Sequence, residues 1–149
     1  MLRGFEDPYI EKVCADAQQL PLRDDSVDVV LSISLLEHLG NPAKCLHELN
    51  RVLRRDGAAI IQLPNLQYLF KPHTKWPLLG FMPKRVQSRI LKMMNYAYIN
   101  FDVTVKNTLL MLQKSGFELM KTVKVYHLGI MKLLPSAPAY IFIARKVRV

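Results

Sequence analysis

The chain has 149 residues, half of them apolar by type, with two cysteines and a formal net charge of +9. That length suits one domain with its own core, and a 22% charged fraction beside so much apolar content excludes a disordered tail. No run is long enough to span a bilayer, and Met1 to Asp7 holds no apolar segment like a signal peptide, so the expected location is cytoplasmic, at most peripheral to a membrane. The net charge hides an asymmetry. Residues 1–57 hold 7 of the 21 Lys and Arg but 10 of the 12 Asp and Glu, leaving 14 and 2 for residues 58–149. A solvated surface is the ordinary reading of such a basic part; nucleic acid, an anionic membrane surface or an acidic substrate are the alternatives.

Lys12 to Asp16 reads as a short strand ending on an acid, followed by the turn Gln19-Leu20-Pro21-Leu22. The polar turn Arg23-Asp24-Asp25-Ser26 then opens the apolar run Val27 to Ile33. That run predicts a strand buried on both faces, as in a parallel sheet. Its carboxyl end carries Ser32, Ser34, Glu37 and His38, where open α/β sheets place their ligands. Asn41-Pro42 is an N-cap with proline at the first helical position, and Leu46, Leu49 and Leu53 recur at helical spacing up to Gly57, read as the C′ residue. Ala58 to Leu63 is a second apolar run, so strand, helix and strand form a right-handed parallel crossover. Cys14 and Cys45 fall in the predicted strand and helix and read as reduced core cysteines, with no metal site expected.

A long connection follows, Pro64 to Asn100. Its first part mixes prolines, aromatics and lysines without a period and reads as an irregular lid. Pro83 to Met94 predicts a basic amphipathic helix, with Val86, Ile90, Met93 and Met94 on one face and Arg85, Arg89 and Lys92 turned away. Its ordinary reading is a cover helix packed on the sheet. The alternative is a membrane-surface element that admits a lipid-like acceptor. Asp102 or Thr104 begins another helix, with Val105, Leu109 and Leu112 inward and Lys114 with Gly116 closing it. Phe117 to Leu128 and Ala139 to Ala144 read as the last strands, joined by a wide connection, and Arg145 to Arg148 as a frayed basic tail.

Val13-Cys14-Ala15-Asp16-Ala17-Gln18-Gln19-Leu20-Pro21, Asp24-Asp25-Ser26-Val27-Asp28-Val29-Val30, Leu36-Glu37-His38-Leu39 and Arg51-Val52-Leu53-Arg54-Arg55-Asp56-Gly57 stand in that order within about fifty residues. Together they resemble the class I S-adenosylmethionine-dependent methyltransferases, in the branch reading "gDa..LPf.d.sFDvV.....lEHl......l.E..RvLkpGG". Val27 stands for the usual Phe, and Arg55-Asp56 for Pro-Gly. The resemblance implies an α/β, partial Rossmann-like fold, a mostly parallel sheet with a C-terminal antiparallel hairpin. Residues 1–149 would be a single, incomplete domain with a substrate-cover insertion at about 64–100. The family's glycine-rich loop and the acid after its second strand have no counterpart, because Gly4, Gly40, Gly57, Gly80, Gly116 and Gly129 are scattered. The first two strands are therefore expected to be missing. Since they lie mid-sheet in the family, the strand 27–33 is left with an unpaired edge, for the 12–16 strand, a second copy or a partner chain to cover.

By the same resemblance S-adenosylmethionine is the cofactor, with Asp16 accepting from the adenine amino group and the Ala17 N–H beside it. Ser32, Ser34 and Leu35 would flank the methionine part, and the acceptor would be a small or lipid-like molecule. An acid capping its own turn and serines forming turns are the plainer readings of Asp16 and the two serines. Glu37 and His38 are the acid and base candidates of this region, and His73 offers the same chemistry from the lid. A structural hydrogen-bonding role fits His38 equally, and Asp28 reads as structural. Methyl transfer asks chiefly for alignment and dryness, so few side chains need act chemically. Three function classes follow: a methyltransferase, a non-catalytic remnant or partner subunit of one, and a basic module binding RNA or membrane. No DNA partner is expected, and the third class ranks last for want of a nucleic-acid motif.

Overall fold

Strands β1 (Val27–Ile33), β2 (Leu53–Pro64), β3 (Phe117–Val125) and β4 (Ala139–Lys146) form one mixed sheet in the order β1-β2-β4-β3. The structure is a computed structural model that describes residues 7–65, 82–93, 100, 102–126 and 137–147. β1 and β2 run parallel, from Val29 opposite Ala58 to Ile33 opposite Gln62, and β4 pairs antiparallel with both β2 and β3. The predicted crossover and C-terminal hairpin are both present, an α/β, Rossmann-like arrangement.

Helix α1 (Pro42–Val52) makes the crossover. Asn41 caps it as its residue type predicts, the side chain accepting from the Lys44 N–H at 3.1 Å. Its inward positions Cys45, Leu46, Leu49 and Val52 are buried. Across from them lie Ile61 and Leu63 of β2, Phe142 and Ala144 of β4, and Val103 and Leu112 from helix α3 (Val105–Lys114) and its approach. Each large side chain so buried stabilises by roughly 1.5–3 kcal/mol over exposure. Thr104 caps α3, and Gly116, at φ +80°, closes it. Asn50 of α1 donates to the Gly116 carbonyl at 3.0 Å and fastens the two helices' ends together.

Five expectations are corrected. Residues 12–16 are no strand: Asp16 makes only an isolated bridge to Gln19, because among the described residues no neighbouring strand offers this short segment a ladder. Cys14 is consequently exposed, while Cys45 is buried. Gly57 does not end α1, since Leu53 in extended conformation is the C-cap. It lies in β2, at a bulge where Val27 opposes Leu53 but Val29 opposes Ala58, and a Cβ there would stand 2.8 Å from the Arg54 carbonyl oxygen. β1 is buried on one face only: Ser32 is buried, whereas Val29, Leu31 and Ile33 are 55–62% exposed and β1 is the sheet's edge strand. The tail is ordered through Lys146, because β4 continues there, Arg145 pairs with Glu118 at 2.7 Å, and Lys146 donates to the Asp25 carboxylate at 2.7 Å and the Leu53 carbonyl at 2.8 Å. The Lys146 hydrogen bond holds the Asp25 carboxyl below its ordinary range.

The predicted basic helix forms as α2 (Lys84–Met93). Most of the expected lid, with His73, lies outside the described residues.

Candidate functional site

The segment before β1 is shaped by its own acid. The Asp16 carboxylate accepts from the Gln18 N–H at 2.8 Å and from its side-chain amide at 3.4 Å, and the Asp16 carbonyl accepts from the Gln19 N–H at 2.9 Å. This is the local turn that an aspartate favours. The Ala17 N–H takes no part in it and has no acceptor among the described residues. Two residues of α1 then hold the loop. Glu48 accepts from the Leu20 N–H at 2.9 Å, and Arg51 donates to the carbonyls of Leu20 and Leu22 at 3.0 and 2.9 Å and to Asp24 at 2.6 Å. Arg51 also grips Glu48 itself at 2.8 Å and, with the Leu20 N–H, keeps its carboxyl down at about 2.

The loop thus runs along α1, from Asp24 at Arg51 to Leu20 at Glu48. Burial, followed by the charges of Asp16 and Glu48, pushes the Cys45 thiol up to about 11. Ala17 and Leu20 pack on the core cluster that also takes in Leu35, Leu36 and Cys45.

There the chain leaves β1 abruptly. Ser34 takes φ +47°, a left-handed conformation that costs a non-glycine residue of order 1 kcal/mol or more. Gln62 of β2 fixes it twice, its carbonyl accepting from the Ser34 N–H at 3.2 Å and its side chain from the Ser34 hydroxyl at 2.9 Å. The Ser32 hydroxyl is buried with no partner. Leu35 packs on the core, and Leu36–His38 make a 3₁₀ turn closed by the His38 N–H to the Leu35 carbonyl at 2.9 Å.

Glu37 is only 2% exposed and its Oε2 has no partner. Burial pushes its carboxyl above the ordinary glutamate value, and its backbone hydrogen bond and the neighbouring His38 offset this only in part. The His38 Nε2 lies 3.9 Å from Glu37 Oε1, and its ring is 39% exposed. A buried acid thus backs an imidazole that reaches solvent. Asn100, which the sequence reading did not single out, straps this turn, its N–H donating to the Glu37 carbonyl at 2.7 Å and its side chain to the Leu39 carbonyl at 3.1 Å. Asp28, read from the sequence as structural, pairs with Arg54 at 2.5 Å.

Comparisons with known proteins bear on the family and the fold. Residues 2–61 match a family described as "Methyltransferase domain". A Mycobacterium tuberculosis protein named "Probable S-adenosylmethionine-dependent methyltransferase" is 35% identical over 81 residues, 54% of this chain and 29% of its own length. One with the same description from Mycolicibacterium smegmatis is 31% identical over 120 residues, 80% of this chain and 40% of its own. The chain thus spans well under half of either relative. Among solved structures, an S-adenosylmethionine-dependent methyltransferase from Mesorhizobium loti superposes with a TM-score of 0.64 at 17% identity, covering 89% of this chain and 67% of that one, a likeness of fold. On motifs, relatives and fold together, residues 2–61 match a methyltransferase domain, and the chain has the fold of S-adenosylmethionine-dependent methyltransferases.

Proposed function

We propose that this chain binds S-adenosylmethionine at the rim formed by Asp16–Ala17 and Ser32–Leu35 and serves methyl transfer to a small or lipid-like acceptor. One observation carries the reading. Ala17 and Leu35 pack on the same core cluster, and the chain beside each is pinned by residues distant in sequence, Leu20 and Leu22 by Glu48 and Arg51, Ser34 by Gln62 and the 36–38 turn by Asn100.

The donor set suits the cofactor. An exposed carboxylate beside an N–H without an acceptor matches the edge of an adenine ring, which offers an amino donor and a ring-nitrogen acceptor. The partnerless Ser32 hydroxyl and the polar Ser34 mark the strand end for the methionine part, with Leu35 as an apolar wall. When bound, S-adenosylmethionine supplies an electrophilic sulfonium methyl. The chain's own work is then to orient and to exclude water. His38, its ring 39% exposed and its Nε2 3.9 Å from the Glu37 carboxylate, takes the proton of an acceptor hydroxyl or amine, and His73 belongs to the same proposal from the cover segment. Residues 1–149 act in this reading as one incomplete domain with its cover at about 64–100.

Methyl-labelled S-adenosylmethionine, offered with small hydroxylated and lipid-like acceptors, tests this. Label transfer is expected, and His38→Ala should lower it by about 100-fold, the low end for removing a general base. Transfer undiminished in His38→Ala and Glu37→Gln would remove the proton-transfer roles, and a folded chain that neither transfers label nor binds S-adenosylhomocysteine would overturn the whole reading.

A further inference from the structure

Helices α1 and α2 are both amphipathic, yet their apolar sides meet different surroundings. α1 buries its stripe against the sheet. In α2, Val86 is 41% and Met93 87% exposed, Ile90 is part-exposed, and Arg85 and Arg89 face solvent. Val86, Ile90 and Met93 recur at i, i+4 and i+7 and so share one face of the helix. The cover-helix expectation is corrected for Val86 and Met93, which are exposed and do not pack on the described core cluster.

The composition of α2 points to what does meet this face. Lys84, Arg85, Arg89 and Lys92 are four basic residues in ten, with no acid among them. The helix also lies in the part of the chain that holds 14 Lys and Arg against 2 Asp and Glu. A short helix with an apolar stripe flanked by cations lies in the plane of an anionic bilayer, the stripe entering the headgroup boundary and the guanidinium groups on phosphates. No described helix is long and apolar enough to cross a membrane, so lying on the surface is the mode left to α2. We propose that α2 docks on anionic lipid surfaces through Val86, Ile90 and Met93, with Arg85 and Arg89 as its electrostatic anchors. This inference stands apart from the cofactor reading.

Flotation of the full chain with vesicles of phosphatidylcholine alone, or with phosphatidylglycerol added, tests it. Binding is expected only with phosphatidylglycerol, and 0.5 M salt should weaken it. Two cations near such a surface are worth about thirtyfold in partitioning, so Arg85→Glu with Arg89→Glu should cost at least that. Val86→Ser with Met93→Ser should also weaken binding, while Lys121→Glu with Lys124→Glu, exposed cations of β3, should leave it within about twofold. Circular dichroism of each variant confirms its fold. Equal binding to phosphatidylcholine, or equal losses from the β3 and α2 variants, would overturn the proposal. So would absence of vesicle binding, whether α2 instead proved to hold an RNA oligonucleotide or to join two copies of the chain in a mass measurement.

Discussion

The rim beside α1 and the helix α2 are held in opposite ways. At the rim, the Arg51 and Asn100 side chains hold backbone carbonyls distant in sequence, and Gln62 holds Ser34 through both its carbonyl and its side chain. Around α2, apolar side chains of the described residues stand in solvent. The first region has prepaid its ordering, which is what a site for a small ligand needs. The second keeps apolar area unspent, which marks a surface awaiting a partner.

Truncating the framework behind the rim should have the largest effect. Phe142, wholly buried on β4 in the core shared with α1 and α3, should cost about 3–5 kcal/mol when changed to Ala, read by denaturant unfolding. Next comes Gly57→Ala, where the new methyl must displace backbone oxygens at 2.8 and 3.0 Å; a loss of about 1–3 kcal/mol is expected by the same measurement. If Gly57→Ala were neutral, the bulge would be softer than the packing implies.

Glu37 yields a prediction with a definite sign. Its carboxyl is raised in the folded state by burial, so ionising it works against folding. Its contribution is fully present below the unfolded value near 4.5 and is lost as pH rises through the raised folded value. Thermal unfolding followed upward from pH 4 should therefore show the parent chain losing stability relative to Glu37→Gln. A constant difference would mean that the carboxyl is not the titrating group. The smallest effect is expected at α2, where Val86→Ser with Met93→Ser should change stability by less than about 0.5 kcal/mol, since neither packs on the core. A larger loss would mean that α2 does belong to the framework and that the contrast between the regions is false.

Much of the framework was legible because its signals are local. Asn41-Pro42 states a helix start, and Leu46 and Leu49 at helical spacing state its buried side, with no need of distant residues. Residues 12–16 failed because a short strand exists only if a neighbour pairs with it. Gly57 misled because its smallness serves close approach of the Arg54 and Asp28 carbonyls rather than a helix end. At the site, the residue types at 16–17 and 32–38 could be read, but not what shapes them. A left-handed serine is invisible in a sequence, and Asn100 reaches the turn it straps from 61 positions away. The Glu48–Arg51 spacing was visible as part of the motif, though its target, a loop 28 residues upstream of Glu48, was not.

The central claim is that the rim holds the cofactor, and calorimetric titration of the folded 149-residue chain with S-adenosylhomocysteine tests it most directly. The account predicts saturable, micromolar binding that Asp16→Ala abolishes and that Arg51→Ala, by releasing the loop, weakens about tenfold. A folded chain that takes up no S-adenosylhomocysteine, or that binds it equally well without the Asp16 carboxylate, would contradict it.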